Sequence, residues 1–211
     1  MGASLTSPAA AAEENISKVS GSIRVDAGAT VGNLNTVNGS IKAGANARSG
    51  NISTVNGSIE VADGTKAGQL STVNGSIRGG RDVHAGNAST VNGQIFFDRG
   101  SAIRGDIGTV NGAIGVVGTR VDGGIEITNG DLTVGANSHV RGGIHYNKPG
   151  RQWFSFSSRS PRVVIGPGAT VDGALVFERD VNLLVHETAR IGEVRGATAA
   201  TYSGARPPQA D

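Results

Sequence analysis

Few residues in this chain are of the types that carry acid–base or metal chemistry, and their spacing is unfavourable for it. The four histidines are His84, His139, His145 and His186, and none sits in a metal-ligand spacing such as H-E-x-x-H. The aspartates Asp106, Asp122, Asp131 and Asp172 do not share one repeat phase. Glycoside hydrolysis needs two opposed carboxylates at a defined separation, and no such pair is evident. No P-loop or dinucleotide fingerprint is present, and the calcium-binding Gly-Gly-x-Gly-x-Asp repeat does not recur. Cysteine is absent, which excludes disulfides and thiolate sites. The reading is a non-enzymatic chain with no cofactor and no metal.

Two other groups of residues offer binding chemistry. Thr36, Thr54, Thr72, Thr90 and Thr109 would form a column, with Asn38, Asn56, Asn74, Asn92 and Asn111 beside it. Regular threonine arrays on flat β-faces order water, as in ice binding. Thr also simply suits strands and Asn suits corners, so ice binding is a minor reading. The second group is a segment at 146–162 with the single Trp and no acid: Tyr146, Lys148, Arg151, Trp153, Phe154, Phe156, Arg159 and Arg162. It reads as a loop for a protein, glycan or anionic partner, against the plainer reading that Trp153 and Phe156 fold back onto the body. One basic-aromatic loop on a chain of formal charge +2 does not indicate nucleic acid.

The elements that position these residues are set by repetition. Thr-Val-Asn-Gly occurs at Thr36–Gly39, Thr54–Gly57, Thr72–Gly75, Thr90–Gly93 and Thr109–Gly112, a period of 18 residues with one step of 19. Degenerate copies lie at Val19-Ser20-Gly21 and Thr128-Asn129-Gly130. Ile23, Ile41, Ile59, Ile77, Ile95, Ile114 and Leu132 keep step, as do Gly32, Gly50, Gly68, Gly86 and Gly105. The apolar runs are short, β-branched and broken by Gly and Asn, which is strand chemistry. Asn-Gly is also a strong hairpin signal, so an antiparallel meander competes. A meander has no need to lock three markers at one period. A solenoid does, because each inward residue stacks on its equivalent one coil away. Asn and Gly are then expected to supply left-handed backbone at a corner.

For the unit at 52–67 the expected core is Ile52, Val55, Ile59, Val61 and Ala67, with Leu34, Val37, Ile41 and Leu70, Val73, Ile77 equivalent in the adjacent coils. The next position points outward and holds Arg24, Lys42, Glu60 and Arg78, so opposite charges in Lys42–Glu60–Arg78 stack between coils. The 34 glycines and five phenylalanines suit a coil too narrow for many rings. No apolar run approaches the roughly 20 residues of a membrane-spanning helix.

Residues 1–14 precede the array and admit three readings: the remnant of a secretory leader ending at Ala10-Ala11-Ala12, a short helical cap opened by Ser7-Pro8, or plain disorder. The solenoid is expected over 15–195, interrupted at 146–162, with a flexible tail over 196–211.

The phrases Gly28-Ala29-Thr30-Val31-Gly32 and Ile165-Gly166-Pro167-Gly168-Ala169-Thr170-Val171-Asp172-Gly173 resemble those of bactofilins, the bacterial polymer-forming cytoskeletal proteins. The resemblance is one of pattern and covers roughly residues 19–195. It implies a right-handed triangular β-helix that joins end to end into filaments without nucleotide. The uniform Thr-Val-Asn-Gly copies, the aromatic insertion and the N-terminal hint of export depart from that family. They favour the bacterial periplasm or cell envelope over the cytoplasm.

The expectation is therefore an all-β, single-domain, right-handed parallel β-helix of about nine coils and ~18 residues per coil. Its role is a self-assembling scaffold, with itself as partner. Ile16, Val19 and Ile23 would form one stacking surface and Leu183, Leu184 and Val185 the other. Contact between them is heterologous and gives open filaments. The alternative is a monomeric module that binds an envelope component or another protein through the Trp153 loop.

Overall fold

The computed structural model describes residues 14–148 and 160–208. Within them every regular element is a strand, and every pairing is parallel to the strand one coil away. Three sheets form. The first has ten strands, from Ile16–Ser20 to Val194–Arg195, and the second has ten, from Ile23–Val25 to Ala199–Tyr202. The third has six, from His84–Ala85 to Arg190–Ile191, and isolated bridges Thr30–Arg48–Lys66–His84 continue it toward the N-terminus. The result is a three-sided parallel β-solenoid of about ten turns at ~18 residues per turn. The turn beyond the expected nine runs from Val194 to Tyr202. The segment expected to be tail contributes a strand, and Ala199–Tyr202 pairs with Leu183–His186.

Register follows the repeat. Leu34, Ile52, Leu70, Ala88 and Ile107 pair in sequence along the first sheet, and Ile23, Ile41, Ile59 and Ile77 along the second. These residues form one continuous buried core. Large and small residues compensate within it. The ring of Phe97 lies where a side chain at Gly79, its partner one coil below, would stand.

The expected core needs one correction. Ile52, Ile59, Val61 and Ala67 are buried, but Val55 is 40% exposed, as are Val37 and Val73 to a similar degree. A strand alternates with period two, so Val55, three residues after the inward Ile52, must face out. Thr54 takes the inward position instead. The same holds for Thr36, Thr72, Thr90 and Thr109, all buried.

Each inward threonine is satisfied at the first corner. Thr54 Oγ1 donates to Gly39 O at 2.9 Å, Thr72 to Gly57 O at 2.9 Å and Thr90 to Gly75 O at 2.9 Å. The corner glycines themselves stack so closely that a methyl on Gly57 or Gly75 would overlap the carbonyl of the glycine one coil below. Glycine is required at this corner by contact. Gly39, Gly57, Gly75 and Gly93 do not adopt left-handed backbone. Left-handed backbone occurs at the first corner at Gly21, Gly112 and Gly130, on either side of those four, and runs through the second corner in the column Gly28, Asn46, Gly64, Asp82, Gly100, Gly118, Asn137 and Gly168. Short polar side chains there take a conformation that most L-residues avoid.

Side chains also tie coil to coil outside the core. Asn33 Oδ1 accepts from the Asn51 N–H at 2.8 Å, and Asn51 Oδ1 from the Gln69 N–H at 2.9 Å. The corner amides form a ladder in which Asn56, Asn74, Asn92 and Asn111 each donate Nδ2 to Oδ1 of the preceding Asn at 2.9 Å. The charge ladder is shorter than expected. Lys42 and Glu60 pair at 2.6 Å, but Arg78 lies over the Phe96 ring, 5.9 Å from its centroid.

These contacts predict an ordering of defects. Gly75→Ala should destabilise the fold by about 3 kcal/mol, since backbone must move to admit the methyl. Gly28→Ala, where nothing lies within 4 Å and only backbone strain at φ +74° opposes it, should cost about 1 kcal/mol. Thr72→Val removes one hydrogen bond at constant shape and should cost about 1 kcal/mol. Urea denaturation of the three variants checks the order, and an equal or smaller loss in Gly75→Ala than in Gly28→Ala would contradict the corner packing.

Candidate functional site

The sites expected at the coil ends are placed as follows. Ile16 opens the first strand and packs partly against the core, and Val19, in the same strand, is 74% exposed. Ile23 is buried. At the far end the expectation shifts by one coil. Leu183, Leu184 and Val185 are buried, and their strand is covered on its outer edge by Ala199–Tyr202. The terminal strands are instead Ala199–Tyr202, Val194–Arg195 and Arg190–Ile191, one in each sheet.

Leu184 has a different job. It faces outward with Val164 and Tyr202 in a second small apolar cluster on the second sheet. His186 packs edge-on against the Tyr202 ring at 5.0 Å. The Arg162 guanidinium donates to the Pro208 carbonyl, which brings residues after the last strand back toward this face.

The insertion leaves the solenoid after Ile144–Tyr146 and rejoins it at Arg162–Ile165, so it occupies the first corner, where other coils have Asn-Gly. Of the residues expected to meet a partner there, Arg151, Trp153, Phe154, Phe156 and Arg159 lie outside the described residues. Tyr146 does not serve that role. It is fully buried, against Phe177 at 5.6 Å between ring centroids. Its phenol donates to Gly130 O at 2.8 Å. Tyr146 stands in the inward column of the threonines and makes their bond to the corner glycine with a longer side chain. Lys148 is exposed, and its N–H donates to the Glu178 carboxylate at 3.1 Å. The Arg162 N–H donates to Asp131 Oδ1 at 2.8 Å.

Three of the four histidines and several acids are engaged in separate structural contacts. Asp122 sits between Arg120, at 2.7 Å, and Arg141, at 3.3 Å. The hydrogen bond from Arg120 holds its carboxyl below the usual range. Asp106 Oδ1 accepts the Gly124 N–H at 2.8 Å. His139 meets Asp172 at 2.7 Å, His145 meets Glu178 at 3.2 Å, and His186 meets Thr188 at 2.9 Å. Glu178 is held low chiefly by the Lys148 N–H and then by His145. An open groove of 440 Å³ runs past Asp106, Glu126 and His145. Glu126 is bonded there to Asn147 at 2.6 Å. Among the described residues no cluster of three or more His, Asp or Glu could hold a metal ion.

The threonine column cannot act on water or ice, because its hydroxyls point inward and bond to backbone. What sequence reasoning missed is the column beside it. Val37, Val55, Val73, Val91 and Val110 face outward along the first sheet. Strict alternation counted from the buried Ile or Leu would have found them. The adjoining amide ladder ends at Asn129, whose Oδ1 accepts from Arg179 Nη1 at 2.7 Å.

Among the described residues no helix is long and apolar enough to cross a membrane. No protein-family model, curated protein or solved structure matches the chain.

Burial raises the Tyr146 phenol well above its ordinary value, and the charge of Asp131 adds to this. Burial also raises Tyr202. A phenol raised by folding stays neutral in the native chain, while the unfolded chain ionises near pH ~10. Stability should therefore fall as pH climbs above about 10, and the Tyr146 share of tyrosinate absorbance should appear only with unfolding. Tyr146→Phe should lessen that alkaline slope. Both tyrosines ionising at their ordinary pH, with native circular dichroism retained, would refute the burial of Tyr146.

Proposed function

We propose that this protein is a non-enzymatic, bactofilin-like scaffold that assembles end to end through its terminal coils. The observation that carries the reading is that the terminal strands present edges without a partner among the described residues, on a cross-section that repeats at every internal boundary. At the N-terminal end, Ile16 N–H donates inward to Asn33 O at 2.8 Å. By strand alternation the Ser17 N–H points away from the body. At the other end Glu187 N–H donates to Tyr202 O at 3.0 Å, so the backbone groups of Thr201 point away in turn. An open strand edge is a template for a further strand, and the two ends are chemically different. Joining one to the other is a head-to-tail contact that does not close on itself. The sequence resemblance to polymer-forming proteins supports the same reading.

Proline is tolerated on an edge strand whose N–H faces outward, and it removes that donor. Ser17→Pro and Thr201→Pro should therefore leave the melting temperature nearly unchanged while abolishing filaments. Electron microscopy of purified protein over a concentration series, with each variant beside the wild type, checks this. Uniform wild-type monomers at high concentration, or filaments that survive both substitutions, would reject end-to-end assembly.

A further inference from the structure

The six exposed large apolar side chains among the described residues fall in one column: Val19, Val37, Val55, Val73, Val91 and Val110. They stand on the outer side of the first sheet, and the last five follow inward threonines. The repeat thus buries a hydroxyl and exposes an isopropyl group at each of five successive coils. Nothing in the core requires this. Thr at the outward position would keep the β-branch and be better solvated.

The surroundings of the column are uncharged. From Leu34–Asn38 to Ile107–Asn111 the five strands of this sheet contain no charged residue. Asn35, Ser53, Ser71, Ser89 and Gly108 line one side of the valines and the amide ladder lines the other. Charge begins where the array ends, at Lys18 below and Glu126 above. The other two faces carry Lys42, Glu60 and Arg78, and Arg48, Lys66 and Arg120.

We infer that this valine face is a lateral contact, and that its occupant is the same face of a second copy of this chain. Side chains repeating every ~4.8 Å along the solenoid axis interdigitate with another array of the same spacing. A copy of this face has that spacing and brings no charge to bury. Five strands of five residues cover about 16 by 24 Å, or roughly 400 Å². That is half of the ~800 Å² per partner found in stable complexes. One pair of faces is therefore weak. Copies joined end to end present the face repeatedly, and the contacts then act together. The strength of the contact rests on the assembly proposed above, whereas its geometry does not.

The chain has no cysteine, so Val73→Cys places a single thiol in the middle of the column. An isologous pairing centred on the face brings that position against its own copy. Mild oxidation should yield disulfide dimers at least about tenfold faster than Thr133→Cys, an exposed position on the second sheet. Adding Val55→Lys and Val91→Lys should reduce the rate to that of the control. Equal rates for Val73→Cys and Thr133→Cys would overturn the inference. So would paired filaments that persist in a Val55→Lys/Val73→Lys/Val91→Lys variant. Repeating the oxidation in the Ser17→Pro background separates the two ideas. Cross-linking retained there without filaments supports the lateral contact alone, whereas filaments of the Val73→Cys chain with Ser17 intact that form without specific cross-linking leave end stacking and reject the lateral contact.

Discussion

The structure depends on how closely one coil can lie on the next at the first corner. The glycine carbonyl there receives the threonine hydroxyl of the following coil, and the same glycine passes beneath the backbone of its successor without room for a methyl. Both contacts act at one spacing, so each coil sets the height and phase of its neighbour. Thr, Asn and Gly in the repeat are three parts of one joint. Thr fills it from inside, Gly permits the approach, and Asn bridges it on the surface.

The joint also shows how the fold absorbs irregularity. Where the repeat loses Thr, Tyr146 reaches the Gly130 carbonyl with its phenol. Where the amide ladder stops, Arg179 supplies the missing donors to Asn129 and to the Thr128 carbonyl. The insertion enters at this same corner and leaves the registers of all three sheets intact on either side, with Leu132 against Val163 and Ile144 against Leu175. A corner is the place where added residues need not disturb a strand.

A stack of this kind gives no internal signal to stop. Hydrogen bonds along the axis are identical in kind at every boundary, and among the described residues the first and last strands leave different backbone groups pointing outward. The sides differ more. Two carry charge, and the third carries a neutral array of valine, serine and asparagine. The end contact and the side contact proposed above would thus be built from different chemistry, backbone edges in one case and packed side chains in the other.

The 18-residue period, the strand character and the coil-on-coil pairing of Leu34, Ile52 and Leu70 were legible in the sequence, because stacking repeats each inward position at one interval. The direction of Val55 was legible too, since alternation from Ile52 requires it, but apolar type pointed the other way. Other features were settled only by tertiary contact. The corner glycines Gly39, Gly57, Gly75 and Gly93 are needed for the neighbouring coil's carbonyl, which local sequence does not reveal, while the left-handed backbone of those coils falls at Asn46, Gly64, Asp82 and Gly100. Tyr146 is buried because the inward column passes through it, although its sequence neighbours are basic and aromatic. Leu183–Val185 became interior because Ala199–Tyr202, a segment too short and too polar to announce itself, finds an open edge to pair with. A strand of four residues is defined by the edge that receives it, and that edge exists only after the preceding coils have stacked.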